Sequence, residues 1–301
     1  MKGLPRKRSD ELLKGILEDN FKDMLCFLYP SADTLFDFSR GFTFMDKELI
    51  PIFPERIAVS GSRIVDLLVK TYLNSGAEKW ILVHVEIEGA SKEAFLARLF
   101  TYHYRLLDRF HVPVETIVLY TTDKRQKVKR EYHYQVIKTE IRFRFLGYHI
   151  FDHSKEALLS MDNIFALVVL ACQQALNEGK LWEEELALHR LTIARSLLKN
   201  GKYGKDRILR FLYFLKNFIF IQNDNLNQVF DDYIGEVSGG TIKMGVIEVV
   251  KKHAREDGLA KGLENERKRI REIAKKLKGL GVSNALIAKA TNLPIHEIDA
   301  L

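Results

Sequence analysis

The chain has 301 residues, 47 % hydrophobic and 29 % charged, with a formal net charge of +7. That composition belongs to a soluble globular protein with room for one large core or two modest domains, and no apolar run reaches the length needed to cross a bilayer. The two cysteines, Cys26 and Cys172, lie in apolar surroundings, which excludes a disulfide framework and fits a reducing cytoplasm.

The basic start, MKGLPRKRSDELL, lacks the apolar segment of a signal peptide, so a cytoplasmic protein is expected. Positive charge is concentrated in residues 251–278, with eleven Lys or Arg against five Asp or Glu. Such a balance permits nucleic-acid binding without establishing it.

Residues 9–29 predict a helix, with Leu12, Leu13, Ile16, Leu17, Phe21, Met24 and Leu25 on one stripe and Pro30 as its stop. Glu18 and Asp19 lie inside it. Residues 31–61, with Pro51, Pro54, Gly41 and Gly61, are irregular. Asp37, in FDFSRG, suits a loop brace as well as a catalytic role.

Residues 62–110 read as strand, turn, strand, helix. The strands are Ile64–Tyr72 and Trp80–Glu88, the turn carries Asn74, Ser75 and Gly76, and the helix runs from about Ser91 to Arg109. Period-two alternation puts His84, Glu86 and Glu88 on one face of a hydrophobic strand, with Val83, Val85 and Ile87 on the other. Carboxylates this close repel unless some are protonated or a cation sits between them. Mg²⁺ takes oxygen ligands, which Asp66 and Glu86 can supply, with the Ile87 carbonyl as a third ligand and Glu88 as a base for an attacking water. A solvated face with ordinary surface acids also fits.

The helix after this strand has an apolar stripe of Phe95, Leu99, Tyr102, Leu106 and Phe110. Arg98 and Arg105, seven residues apart, share a flank and suit bidentate phosphate contacts, or ion bridges to Glu86 or Asp108. Residues 115–122 predict a central buried strand, reached by a crossover and therefore parallel to its predecessor. Lys124, Arg125, Lys127, Lys129 and Arg130 follow, as a DNA-contacting rim or a solvated loop. Two further strands are expected at 132–137 and 140–151, where Arg142-Phe143-Arg144-Phe145 alternates as a half-exposed strand should. Helices are expected from 155, in a region ending near 245. A long charged helix follows over 246–278, then two short helices meeting at Asn292-Leu293-Pro294.

Several stretches carry a resemblance. They are Phe36-Asp37-Phe38-Ser39-Arg40-Gly41, Asp46-Lys47-Glu48-Leu49, the run Arg63 to Lys70 around Asp66, the run Trp80 to Gly89 around Glu86 and Glu88, and the run Arg98 to Arg105. Over roughly residues 10–170 the chain resembles the PD-(D/E)XK nuclease core, and in particular the Rpn-like recombination-promoting nucleases and their transposase-like relatives. The resemblance implies an α/β fold: a nuclease-like core with a mixed central sheet over 1–154, a helical region packing on it over 155–245, and a charged helix with a small helical tail over 246–301.

It also implies a Mg²⁺-dependent DNA endonuclease, with Mn²⁺ as a substitute, acting in recombination or mobile elements, and a homodimer if both strands are cut. Asp66, Glu86, Glu88 and Glu18 would be its catalytic residues; Asp66, Glu86 and Ile87 would hold the metal. Arg98, Arg105, Lys124, Arg125 and Lys127 would contact nucleic acid. Glu88 stands where the family carries Gln and the wider superfamily Lys. The alternative is a weak or inactive nuclease-fold protein acting in DNA binding or oligomeric regulation.

Overall fold

Ile64–Tyr72 (β2) and Glu78–Glu86 (β3) pair antiparallel with Asp66 opposite His84 and Ile64 opposite Glu86. The structure is a computed structural model. It describes residues 6–45, 64–75, 78–86, 93–122, 128–238, 240, 271, 274, 275, 278, 284, 288 and 293–300, with side chains described apart from 6–9, 64–66, 78–86 and 237. Two compact units divide the chain, residues 1–242 and 243–301.

In the first unit, Arg6–Asp19 (α1) and Phe21–Leu28 (α2) occupy the stretch expected as one helix. The break falls at Asn20, whose buried amide donates to the Ile16 carbonyl at 2.8 Å and accepts from Arg207 at 2.7 and 3.0 Å. Arg207 also pairs with Asp23, so one cation ties the break to a distant helix. A short helix, Ala32–Leu35 (α3), and a tight turn over Phe38–Arg40 follow. Asp37 caps that turn by accepting from the Ser39 amide at 3.1 Å, so it serves as the loop brace.

The main sheet has five strands in the order Thr43–Phe44 (β1), β2, β3, Val114–Tyr120 (β4) and Leu146–His149 (β7). Thr43–Phe44 (β1) lies antiparallel to β2 at one edge. Glu93–Phe110 (α4) is the crossover from β3 to Val114–Tyr120 (β4), which pairs parallel with β3 as the crossover requires. The run expected as two strands contains three. Glu131–Val136 (β5) and Thr139–Arg144 (β6) form a separate antiparallel ribbon, whereas Leu146–His149 (β7) joins the main sheet parallel to β4. The chain leaves the ribbon at Phe145, so no continuous strand spans 140–151.

Alternation along the strands assigns the two faces of the sheet. Leu119 and Tyr148, with Ile150 beyond them, meet Leu13 and Leu17 of α1 and Phe165 and Val168 of the helix Ile164–Ala175. Leu68, Val118 and Tyr120 belong to the opposite face, where they pack against Phe95, Leu96, Leu99, Tyr102 and Leu106 of α4. The sheet is therefore a filled layer between two sets of helices.

Lys155–Ser160 (α5), Ile164–Ala175 (α6), Glu183–Asn200 (α7), Lys205–Phe218 (α8) and Asp224–Val237 (α9) follow. Short polar side chains start three of them. Ser154, Asn163 and Asn223 each accept a backbone amide of the first helical turn. Residues 164–174 of α6 are buried without exception, as the unbroken apolar run 164–172 requires, and the buried Gln173 donates to the carbonyls of Ile150 and His153 at 2.6 and 3.0 Å. Asn163 donates to the Asp23 carbonyl at 2.9 Å, and Arg210 of α8 pairs with Asp19 at 2.9 Å, so these helices and the sheet form one unit.

In the second unit Pro294 precedes the helix Ile295–Asp299 (α10). Lys278 donates to the carbonyls of Ile298 and Asp299 at 2.9 and 3.0 Å, and Asn284 donates to Asp299 at 2.6 Å. Among its described residues Ala274, Leu293 and Ile298 are buried, whereas Ile295 is exposed. The long charged helix expected over 246–278 lies largely outside the described residues.

Candidate functional site

The strand register fixes which sequence positions come together. Asp66 stands opposite His84, and Glu86 lies two residues further along β3. Opposed residues of an antiparallel pair share a face, so positions 66, 84 and 86 belong to one face of the sheet. His84 is also level with Val118, and Glu86 with Tyr120. Val118 and Tyr120 pack against α4, which places the three polar positions on the face that this helix covers. Asp66 and Glu86 are diagonal neighbours, a relation that separates backbones by roughly 7–8 Å. Glu88 and Ile87 lie outside the described residues, as do Lys124, Arg125 and Lys127.

Glu18 is placed differently. It lies on α1, whose Leu13 and Leu17 pack on the other face of the sheet. Its carboxylate is 4.0 Å from Lys14, one helical turn back, and both side chains are about a third exposed at 35 %. The structure brings Asp66, His84 and Glu86 to one face and Glu18 to the layer on the other.

α4 is amphipathic for a reason that bears on the site. Phe95, Leu99, Tyr102 and Leu106 form the stripe against the sheet, and the two flanks of that stripe differ. On one flank, Phe100 meets Tyr132 and Phe143 of the ribbon, and His103 meets Phe143 at 4.7 Å and Thr116 at 3.0 Å. Burial holds the His103 imidazole below its ordinary pKa, so its neutral form fills this apolar corner.

Arg98 occupies the opposite flank, with half-buried Arg105 seven residues further on. The Arg98 Nε is buried and has no hydrogen-bond partner, and the guanidinium lies 5.8 Å from the Phe95 ring. Among the described residues no carboxylate pairs with Arg98, so the bridge to Asp108 allowed by the sequence does not form. A buried donor without a partner is costly, by about 1–3 kcal/mol, and a charged one more.

Two groups not singled out in the sequence extend the row. Tyr120 stands beside Glu86 in the register and His149 beside Tyr120. The Tyr120 hydroxyl donates to the Lys129 carbonyl at 2.5 Å, fixing the end of the basic loop beside the sheet. His149 is buried; its Nδ1 accepts from the Phe151 amide at 3.3 Å, which leaves the proton on Nε2, 3.1 Å from the Thr122 hydroxyl. Its isolation in the sequence hid it, because only the parallel pairing of β7 with β4 brings it into the row.

Among the described residues, no group of three or more His, Cys, Asp or Glu is placed to share a metal ion, and no helix is long and apolar enough to cross a membrane. Comparison with protein-family models, with curated protein sequences and with solved structures finds no match for this chain.

Proposed function

We propose that this chain is a nucleic-acid-binding protein that presents the α4 face of its sheet to a phosphodiester backbone. The observation that carries the reading is Arg98, a guanidinium that has no carboxylate partner among the described residues and whose buried Nε is unpaired there. It stands on the helix covering positions 66, 84 and 86. Guanidinium groups match phosphate oxygens in a planar, bidentate geometry. Arg105 lies on the same flank, and the sequence supplies a further basic segment, Lys124, Arg125 and Lys127, suited to DNA.

The register of Asp66 and Glu86 favours a second reading at the same place, metal-dependent DNA hydrolysis. Two carboxylates on one face repel a phosphate unless a cation lies between them, and oxygen donors of this kind suit Mg²⁺ or Mn²⁺. Asp66, Glu86 and the Ile87 carbonyl would hold that ion, with Glu88 at the attacking water and Glu18 as a further acid. When bound, the ion lowers the pKa of a water and polarises the scissile phosphate. A second copy of the chain would be needed to cut both strands. Glu88 stands in the sequence where the resemblance leads one to expect Gln or Lys, a departure that bears on the chemistry, which is why binding is placed first.

Incubation of plasmid DNA with the full chain, in EDTA, Mg²⁺ and then Mn²⁺, separates the readings. Retarded but intact plasmid in every buffer is the result expected of a binding protein. Cleavage that depends on the metal and disappears in Glu86→Ala would install the hydrolytic reading in its place. Cleavage gained only in Glu88→Gln would identify that position as what suppresses the chemistry. Absence of binding at low salt, where phosphate contacts are strongest, would sink both.

A further inference from the structure

The ribbon β5–β6 outruns the helix that supports it. Its register places Tyr132 opposite Phe143, Tyr134 opposite Ile141 and Val136 opposite Thr139, all on one face. Only the first pair reaches α4, where Tyr132 stacks on Phe100 with ring centroids 5.6 Å apart. Beyond it the same apolar face enters solvent, with Tyr134 44 % and Val136 48 % exposed. The other face is polar and internally paired: Arg144 and Arg142 bond to Glu131 and Glu140. The alternation Arg142-Phe143-Arg144 therefore serves the ribbon itself.

The tip departs from what its geometry favours. The two-residue loop Ile137-Lys138 puts Ile137 at φ 53°, in the left-handed region. Gly takes that position freely and Asn or Asp at reduced cost, whereas a β-branched side chain there is a strained outlier. Ile137 is also 91 % exposed, so neither local conformation nor packing within the chain accounts for it. Strain and exposed apolar surface coincide at one residue, on the end of an arm. Lys138 beside it is exposed and has no ion-pair partner among the described residues.

We propose that this ribbon is a nucleic-acid-contacting arm, with Lys138 on a phosphate and Ile137 as an apolar wedge against the base stack. Charge identifies the occupant. The ribbon itself is nearly balanced, with three Lys or Arg against two Glu over 131–144, which leaves Lys138 at its tip as the cation without an ion pair among the described residues; the segment 123–130 that leads into it adds five Lys or Arg against one Asp, a surplus that matches a polyanion. Two-stranded ribbons fit a groove of duplex DNA, and Ile is among the side chains that enter base steps. The arm is anchored on the flank of α4 opposite Arg98, so both contact surfaces belong to the helix layer on one side of the sheet. The inference rests on the nucleic-acid reading above and assigns its second contact.

The test uses the full chain, a fluorescent duplex and two variants, Ile137→Asn and Lys138→Ala. Asn tolerates the left-handed position, so Ile137→Asn is expected to raise the melting temperature by roughly 2–4 °C. The same variant is expected to bind the duplex about tenfold more weakly, because the wedge is gone. Lys138→Ala is expected to lower the slope of log affinity against log salt by roughly 0.9, one phosphate contact. A stabilised Ile137→Asn protein that binds DNA as the parent does would overturn the arm, leaving the nucleic-acid reading intact. If sedimentation also showed that this variant had lost a parental dimer, the tip would be a self-association surface instead. Failure of the parent itself to bind would overturn the nucleic-acid reading, and the arm with it.

Discussion

The two faces of the main sheet are built to different rules. On the α1 and α6 side, Leu13, Leu17, Leu119, Tyr148, Phe165 and Val168 meet with no charged group among them. Where polar groups occur at the edges of that layer they answer one another: Tyr29 donates to Glu115 at 3.0 Å, and Arg207 is shared by Asn20 and Asp23. The α4 side has an equally apolar centre, Leu68, Val118 and Leu99, but positions 66, 84 and 86 interrupt it and Arg98 has no counter-ion among the described residues. One face is explained by folding alone. The other contains Arg98, whose buried Nε has no hydrogen-bond partner among the described residues.

The difference can be tested from its strongest consequence downward. Phe165→Ala removes a ring that is only 1 % exposed, and it is expected to destabilise the chain by about 3–5 kcal/mol in urea unfolding. Duplex affinity of the protein that remains folded should be unchanged, since nothing on the α4 face is altered. A matched loss of affinity would mean that the two faces are not separable.

Asp66→Asn is expected to behave in the opposite way. In EDTA it removes a negative charge from the binding face, so anisotropy titration should show duplex affinity raised by about 1 kcal/mol, roughly fivefold. Weaker binding under those conditions would place the backbone elsewhere.

The smallest effect concerns His103, whose folded-state pKa lies below the ordinary 6.5 because of burial. The unfolded chain then binds the proton more readily. The stability tied to this group is therefore complete above about 6.5 and is lost as pH falls through the lower folded value. His189, lowered by burial and by Lys155, adds to the same window. Denaturation midpoints measured across that window should fall less steeply in His103→Gln than in the parent.

How much of this was legible in the sequence follows from the range of each interaction. The hairpin Ile64 to Glu86, the crossover helix and its apolar stripe were readable because period-two and helical patterns are local. The facing of Asp66 and Glu86 followed from the same pattern once a hairpin was assumed. The break at Asn20 was not readable, because it depends on Arg207, 187 residues away. Nor was the split of the last strands, since β6 and β7 belong to different sheets while Phe145 between them continues the apolar alternation. Arg98 was recognisable as a cation on a polar flank, but whether a carboxylate answered it needed three-dimensional placement. The exposed Ile137 looked like an ordinary strand residue until the register put it in a two-residue turn.

The most direct measurement is duplex DNA binding by Arg98→Ala beside the parent, over a series of salt concentrations, with the melting temperature of both. Arg98 makes no hydrogen bond or ion pair among the described residues and its Nε is buried without a partner, so its removal should not destabilise the chain and should raise its stability by about 1–3 kcal/mol. Affinity should fall about tenfold or more and the salt slope by roughly 0.9, as for one lost phosphate contact. Unchanged affinity with an unchanged slope would contradict the assignment of the α4 face as the nucleic-acid surface.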